Sequence, residues 1–467
     1  MRNQYYIFTI IVLVNVLLKS LYSNYTPFSY DEIISVKNTF LDFGHIKHES
    51  DWDNNPPFYY YCLWVWHQII PISEFRSRFL SVLFVSVAIG LCFLFANEHY
   101  GTPTALISSL FLSLCNFICY YSQEARTYSL VLLLGIISTI LFFRYLKNQK
   151  TLLLLVLSFV NFLLIYSHYI SGLIILWQYI FILVASKKET YVKYFTIQTL
   201  FIVSLVLLRF TSKQFKNILN YNQKEDFWLK KAVFNDLVAA SGDLYYNAIV
   251  AIVFGVGVLV FLYHVYTNKK ENKLVSFYCL SVGFGSVAIL YLIGSFKAIF
   301  LARYLIFSIP FATILVIDTF IRSVGGKFTI VGLLCLLGIN CNLQKNSGVD
   351  YKLMARLIRN TRKGSDALII NTKDNLGLFY YYYDNTVFRK YKSLDSVAQT
   401  DRIFAVNDTS AVPRDVISNS NRVFLIQSFH KIDKFDNPFE MYLSPRFIKH
   451  YHTESIKGIE FGVYRKD

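Results

Sequence analysis

The sequence has few charged residues for its length. Only 16% of its 467 residues are charged, whereas 54% are hydrophobic and the mean hydropathy is +0.40. A soluble domain carries about 25% charged residues. Apolar segments this frequent exceed what one soluble core can bury, so the composition indicates a polytopic α-helical membrane protein.

Metal-binding cysteine patterns are also missing. The seven cysteines form no CxxC pair and no Cys/His cluster with the spacing of a zinc site. Most of them fall inside apolar runs: Cys62, Cys92, Cys115, Cys119, Cys279, Cys335 and Cys341. We therefore expect them to pack as small apolar residues.

The excess of positive charge occurs in short clusters. The formal net charge of +16 would by itself suit a nucleic-acid partner. However, clusters of Lys and Arg separate apolar segments at residues 144–150, 186–193, 267–273 and 322–327. Because cytoplasmic loops of membrane proteins are rich in Lys and Arg, this distribution predicts four cytoplasmic loops and no nucleic-acid partner.

Apolar runs that are long enough to cross a bilayer, or nearly so, recur up to residue 343. A spanning helix needs about 20 residues, which gives about 11 spans. They lie at about 5–22, 76–97, 103–121, 127–146, 151–167, 170–186, 194–211, 247–267, 273–295, 303–321 and 328–343. The fifth and sixth runs are short, and the positive clusters flanking them predict a hairpin. The first run lacks a clear cleavage site, so we expect an uncleaved span.

Alternation of the spans assigns a side to every loop. If the N-terminus is cytoplasmic, all four positive clusters fall on the cytoplasmic side. The other side then receives the loops at 23–75, 122–126, 168–169, 212–246 and 296–303, and the region after 344. The sequence therefore predicts a multi-pass protein of the cytoplasmic or inner membrane with an extracytoplasmic C-terminal region.

The composition changes after residue 343, where charged residues become frequent. Four segments are typical of strands, at 366–371, 402–407, 422–427 and 458–467. Residues 350–362 and 375–383 are typical of helices. We therefore predict a transmembrane module at 1–343 and a small extracytoplasmic α/β domain at 344–467.

Carboxylates follow the first span. Asp31 and Glu32 lie about ten residues beyond it, where a carboxylate at the water interface can face a lipid-linked substrate. The alternative is an acidic pair at a helix N-terminus. Asp53 and Asn55 precede Pro56 and Pro57, whose rigid extended backbone can aim them. The alternative there is a plain turn before the aromatic block. The aromatic block itself predicts an interfacial helix.

Charged residues also interrupt the apolar sequence in "YYSQEARTYSL" at 120–130. At a helix start Glu124 and Arg126 would point to different sides, so each needs its own partner. The guanidinium of Arg126 suits a phosphate, although a purely structural ion network is the alternative. Arg303 and Tyr304 begin a later span from the same side, where an arginine also marks a helix end. His168 lies on that side too, and its simplest role is a buried hydrogen bond.

Five short segments, taken together and in their order along the chain, carry a resemblance to a known family. They are "YDE" at 30–32, "NNPPFYY" at 54–60, "SEFRSRFLSVLF" at 73–84, "YYSQEARTYSL" at 120–130 and "ARYLIFSIP" at 302–310. Together they resemble the polytopic GT-C glycosyltransferases of the protein O-mannosyltransferase and aminoarabinose-transferase type. The resemblance covers roughly residues 1–320, and SQEAR is its most specific motif.

The resemblance implies an inverting glycosyltransferase that moves a hexosyl or pentosyl unit from a polyprenyl-phosphate carrier to an extracytoplasmic acceptor. The acceptor is a protein, a glycan or a lipid. Asp31 matches the family's catalytic aspartate, with Glu32 beside it. Arg126 and Arg303 match positions expected near the lipid phosphate, and we predict that Tyr304 binds the donor phosphate with them. The remaining pocket residues would be Asp53, Asn55, Glu124 and His168.

The residue before the diproline departs from the family pattern. Relatives often have His or Lys there, which can meet a metal or the carrier phosphate, whereas this chain has Asn55. The departure weakens the case for a divalent metal, and no other cofactor is implied. A transporter or flippase is the alternative function, because it also needs charged groups near the membrane. A non-catalytic scaffold whose outer domain binds a partner is a third reading.

Overall fold

A computed structural model describes most of the chain. The described residues are 2–21, 23–24, 26–49, 55–210, 229–245, 247–267, 273–329, 332, 350–373, 375–389, 394–428, 438–443, 448–456 and 459–466. They form two compact units. The first comprises Met1–Ser23 and Gly44–Lys345, and the second comprises Asn24–Phe43 and Asn346–Asp467.

The first unit is helical. Within the described ranges, 7 helices are long and apolar enough to cross a membrane, or 8 if one bent pair is a single span. They are Arg2–Ser20, Glu74–Tyr100, Tyr128–Asn148, Lys188–Phe210, Ala248–Thr267, the helix over 274–296, the helix over 302–324, and the bent pair Thr102–Leu114 and Asn116–Ser122. The prediction of a polytopic helical membrane protein is confirmed.

Two predicted runs form shorter apolar helices. Thr151–Ile165 and Gly172–Ala185 are separated by a turn, as the hairpin prediction requires. Every earlier run also coincides with a helix, whereas the last one, at 328–343, lies almost entirely outside the described residues. The predicted aromatic helix is Phe58–Ile69, and the predicted loop at 212–246 contains the helix Phe234–Leu244.

The run at 103–121 is not one straight span. Its two helices meet at Cys115, whose backbone is extended, and they bend by 60°. In a straight helix the carbonyl of Ser113 would accept the amide four residues later. Here it accepts the buried ammonium of Lys19 at 3.0 Å. A polar side chain inserted into the ladder is a known cause of a helix kink.

A buried polar network joins four helices of the first unit. The side chain of Asn161 accepts from Ser138 at 2.5 Å and donates to Gln178 at 2.8 Å and Gln198 at 2.9 Å. Tyr194 donates to Gln178 at 2.9 Å. Because lipid offers no competing partners, such bonds hold membrane helices together.

One span contains a local change of winding. Leu274–Leu280 passes through a π-helical turn, Ser281–Gly285, into Ser286–Phe296. A Cβ at Gly283 would lie 2.7 Å from the backbone nitrogen of Ala312. Glycine at this position therefore allows the close approach of the next span, which begins as the 3₁₀ helix Ala302–Ser308 and continues as Ile309–Val324.

The second unit contains a five-stranded sheet in the order β2-β1-β3-β5-β4. The strands are β1 Ala367–Asn371, β2 Ile403–Val406, β3 Arg422–Ser428, β4 Ile448–Ile456 and β5 Ile459–Arg465. The strands β2, β1 and β3 are parallel, with Ile369 opposite Phe404 and Leu425. The other two strands are antiparallel to their neighbours. The predicted C-terminal sheet is confirmed, and β4 is an addition to it.

The helices of the second unit pack against this sheet and against each other. They are Tyr30–Lys37, Tyr351–Thr361, Asn375–Tyr383, Leu394–Thr400, Arg414–Ser418 and Pro438–Leu443. The first of them comes from the segment after the first span. The ring of Phe28 meets that of Tyr381 edge-on at 5.4 Å, and the Phe28 amide donates to the Tyr382 hydroxyl at 2.6 Å. The tyrosine-rich helix therefore holds the start of the Asp31 segment.

Candidate active site

The SQEAR stretch forms a turn and not a helix start. The helix Asn116–Ser122 ends at Gln123, and the next helix begins at Tyr128. Within the turn, the amide of Arg126 donates to the carbonyl of Glu124 at 2.8 Å. Both side chains are buried, with 5% of Glu124 and 3% of Arg126 exposed. The turn therefore keeps two ionisable groups away from water.

Hydrogen bonds tie this turn to two other segments of the first unit. The hydroxyl of Thr127 donates to the carbonyl of Ser167 at 3.0 Å. The amide of Phe58, directly after the diproline, donates to the carbonyl of Tyr166 at 3.2 Å. The diproline, the SQEAR turn and the turn at 166–168 consequently meet at one place.

Two arginines from different segments lie there among tyrosines. The guanidinium of Arg126 donates to the hydroxyl of Tyr60 at 3.3 Å. The guanidinium of Arg303 lies 5.8 Å from the ring centroids of both Tyr128 and Tyr304. These distances suit cation–π contacts.

His168 lies near both arginines. Its ring lies 4.7 Å from that of Tyr304 and 6.1 Å from that of Tyr128. Burial, together with the positive charges of Arg126 and Arg303, lowers the pKa of His168 to about 3. The imidazole is therefore neutral at physiological pH. Its Nδ1 is buried without a hydrogen-bond partner among the described residues.

The structure thus brings together four of the predicted site residues: Arg126, His168, Arg303 and Tyr304. Asn55 is 6% exposed and lies directly before the diproline at the same meeting point. Asp53 lies outside the described residues.

The two predicted carboxylates of the first outer loop belong to the second unit. Both lie in the first turn of the helix Tyr30–Lys37. Glu32 is fully buried and forms a capping box, in which Ser29 accepts from the Glu32 amide and the Glu32 carboxylate accepts from the Ser29 amide at 2.9 Å. Glu32 therefore has the helix-terminal role that the sequence offered as its alternative. Asp31 is half-buried on the same turn.

One buried charge was missed from the sequence. Arg78 is fully buried in the helix Glu74–Tyr100 and donates to the carbonyl of Ser23 at 2.8 Å. It lies in the "SEFRSRFLSVLF" segment, whose order along the chain supported the resemblance. The sequence signal for Arg78 was an arginine two residues inside an otherwise apolar run. Burying such a charge is costly unless a partner holds it.

A metal site does not emerge from the part of the chain that the structure describes. No group of three or more His, Cys, Asp or Glu residues there has the arrangement to hold an ion.

Comparisons with known proteins give both a sequence family and a fold. Residues 54–211 match the family described as dolichyl-phosphate-mannose-protein mannosyltransferase, over less than half of the chain. No curated protein sequence matches the chain. The Archaeoglobus fulgidus oligosaccharyltransferase, solved with Zn and sulfate, is similar in structure at a TM-score of 0.53 and 11% identity, over 98% of this chain and 73% of that one.

A second structure from Archaeoglobus fulgidus agrees. The oligosaccharyltransferase AglB in complex with an inhibitory peptide and a dolichol-phosphate gives a TM-score of 0.55 at 9% identity, over 99% of this chain and 74% of that one. The chain has the GT-C fold. The predicted resemblance to GT-C glycosyltransferases is thereby confirmed.

A further GT-C structure is similar at a lower score. ArnT from Cupriavidus metallidurans bound to undecaprenyl phosphate gives a TM-score of 0.45 at 11% identity, over 98% of this chain and 97% of that one. At such low identities the GT-C likeness describes the fold alone. The chemistry of this chain has to be argued from its own residues.

Proposed function

We propose that this GT-C chain is an inverting glycosyltransferase. It moves a hexosyl or pentosyl unit from a polyprenyl-phosphate carrier to a protein, glycan or lipid acceptor on the extracytoplasmic side. The observation that supports this most is the pair of arginines, Arg126 and Arg303, around the neutral ring of His168. Two cationic groups held in an apolar protein favour an anionic ligand.

A phosphate suits these two groups. A guanidinium binds phosphate oxygens through two parallel hydrogen bonds and stays charged when it is buried. Low local dielectric strengthens the attraction, because little water competes for the charge. The cation–π contacts of Arg303 with Tyr128 and Tyr304 orient that group.

The same arginines would stabilise the leaving group. As the bond between the sugar C1 and the phosphate oxygen breaks, the electron pair stays on the carrier phosphate. Arg126 and Arg303 then bind a more negative group than in the donor, so their binding favours the transition state. Neutral His168 accepts or donates a hydrogen bond without adding a third positive charge.

Asp31 is the residue that we assign to acceptor activation. Its carboxylate takes the proton of the acceptor group as that group attacks C1 from the face opposite the phosphate. One such displacement inverts the anomeric centre. Glu32 has no catalytic part in this proposal, since its carboxylate closes the capping box with Ser29.

The comparisons support the donor class. The family matched by residues 54–211 is described by its use of dolichyl-phosphate-mannose. AglB, which shares the fold, was solved with a dolichol-phosphate. A polyprenyl-phosphate donor is consistent with both and with the arginine pair.

Mass analysis of cells with and without the gene tests the proposal. Without the transferase, the polyprenyl-linked sugar should accumulate and a surface glycan, lipid or protein should lack that sugar. The mass of the accumulated donor then identifies the sugar, and the shortened product identifies the acceptor. Unchanged lipid-linked sugars together with unchanged products would contradict a transferase and favour a transporter.

A further inference from the structure

Asn38 has a buried side chain that the protein does not satisfy. The residue follows the helix Tyr30–Lys37 directly and begins the 3₁₀ turn Asn38–Phe40. It is 1% exposed. Both its Nδ2 and its Oδ1 are buried without a hydrogen-bond partner in the described part of the chain.

The neighbouring polar groups of this segment are satisfied. The hydroxyl of Thr39 donates to the carbonyl of Val36 at 2.7 Å, and that of Ser35 donates to the carbonyl of Asp31 at 3.3 Å. Native proteins leave very few buried polar atoms unpaired. A carboxamide with neither its donors nor its acceptor in use is therefore a costly feature that needs an explanation.

The position of Asn38 on the helix suggests that explanation. Asp31, Ser35 and Asn38 are spaced i, i+4 and i+7, which places them on one face of the helix. At about 1.5 Å per residue, Asn38 lies about two turns beyond Asp31 along that face. The unsatisfied amide and the proposed catalytic carboxylate therefore belong to the same stripe.

We propose that Asn38 binds a pair of sugar hydroxyls, on the donor or on a saccharide acceptor, and so helps to determine specificity. A carboxamide donates through Nδ2 and accepts through Oδ1, which matches two neighbouring hydroxyls. The inference rests on the proposed transferase function, because it uses the substrate that Asp31 would act on. Substrate binding then supplies the partners that the empty protein lacks.

The substitution Asn38→Leu tests this directly, since leucine has a similar volume and no polar atoms. The empty protein should melt at the same temperature or higher, because an unpaired buried amide has been removed. Transfer should nevertheless fall about ten- to a hundred-fold, as expected for the loss of two hydrogen bonds in a dry site. The donor for this assay is the lipid-linked sugar extracted from cells that lack the gene.

Thr39→Val is the matched control. It removes a neighbouring buried hydroxyl that the helix itself satisfies, so transfer should stay at the wild-type rate. A rise in KM for the donor in Asn38→Leu assigns the contact to the donor sugar, and a rise for a saccharide acceptor assigns it there. A lower melting temperature with both KM values unchanged would make Asn38 structural and overturn the inference.

Three further outcomes test this inference and separate it from the function on which it rests. If Asp31→Asn is inactive while Asn38→Leu transfers at the wild-type rate, Asn38 has no part in binding. A KM increase confined to a peptide acceptor would overturn the assignment to sugar hydroxyls. Full activity of Asp31→Asn in the same assay would instead contradict the proposed role of Asp31, whatever the result at Asn38.

Discussion

The guanidinium of Arg126 donates a hydrogen bond to the hydroxyl of Tyr60 at 3.3 Å. This bond joins the SQEAR turn to the first turn of the helix after the diproline. The position of this turn explains why a glutamate and an arginine occur between apolar segments. The turn that carries them is the place where three chain segments meet. The arginine lies there beside a second guanidinium and a neutral histidine.

Arg126→Ala should weaken use of the donor more than it weakens folding. Losing hydrogen bonds to a charged group costs about 1.5–3 kcal/mol, so KM for the lipid-linked sugar should rise about ten- to a hundred-fold. Arg144→Ala is the matched control, because Arg144 is an exposed arginine in the helix Tyr128–Asn148. Failure of Arg126→Ala to accumulate in the membrane would favour a structural ion network instead.

The neutral state of His168 predicts an acid-sensitive fold. The pKa of its imidazole falls from 6.5 to about 3 in the folded protein. Between these pH values the unfolded chain binds a proton that the folded protein does not. Stability should therefore decrease as the pH falls below about 6.5, by at most ~1.4 kcal/mol per pH unit.

Melting temperatures of wild type and His168→Gln measure this effect. Lowering the pH from about 7.5 to about 5 should lower the melting temperature of the variant less than that of wild type, because the variant has no imidazole to protonate. His264→Gln, on the helix Ala248–Thr267, should behave as wild type does. Equal losses in all three proteins would show that His168 does not limit stability in acid.

The network around Asn161 should matter for stability and not for chemistry. Asn161→Leu removes one partner each from Ser138, Gln178 and Gln198 at once and leaves the buried Oε1 of Gln198 without its bond from Asn161. Each such atom costs about 1–3 kcal/mol, so the melting temperature should drop clearly. The protein that stays folded should keep the wild-type KM for the donor. A change of that KM would place the network in the binding machinery.

The orientation of the chain can be tested with reporters. A reporter that is active only in the cytoplasm should stay silent when it is fused after Asp467, because the spans counted in the sequence and the positive clusters predict an extracytoplasmic C-terminal region. The same reporter inserted after Lys187, in a predicted cytoplasmic cluster, should be active. A strong signal from the C-terminal fusion would overturn the span count.

The membrane class, the helices and the C-terminal sheet were predictable because they depend on local patterns. Long apolar runs identify spans without any knowledge of their neighbours. The kink at Cys115 was not predictable in this way, because the carbonyl that it frees is bonded by Lys19, from a helix about a hundred residues away. Strand β4 was missed because "IKHYHTESI" alternates polar and apolar residues poorly.

The candidate site shows the same limit. The sequence analysis named Arg126, His168, Arg303 and Tyr304, and the structure brings these four together. The sequence did not reveal that the segment 24–43 packs with the C-terminal unit, since that packing depends on contacts between Phe28 and tyrosines some 350 residues later. The resemblance placed the catalytic role on Asp31. The capping box gives Glu32 a structural role, because it occupies the Glu32 carboxylate.

Asp31→Asn in purified protein, assayed with the polyprenyl-phosphate sugar, tests the central claim most directly. The amide keeps the shape of the carboxylate and removes its charge, so transfer should fall by roughly 10²–10⁴-fold, as for the loss of general base catalysis. Donor binding should survive, because Arg126 and Arg303 are assigned to the phosphate. Glu32→Gln should change transfer much less, since glutamine also closes a capping box. Equal transfer rates for wild type and Asp31→Asn would contradict the account and favour a transporter.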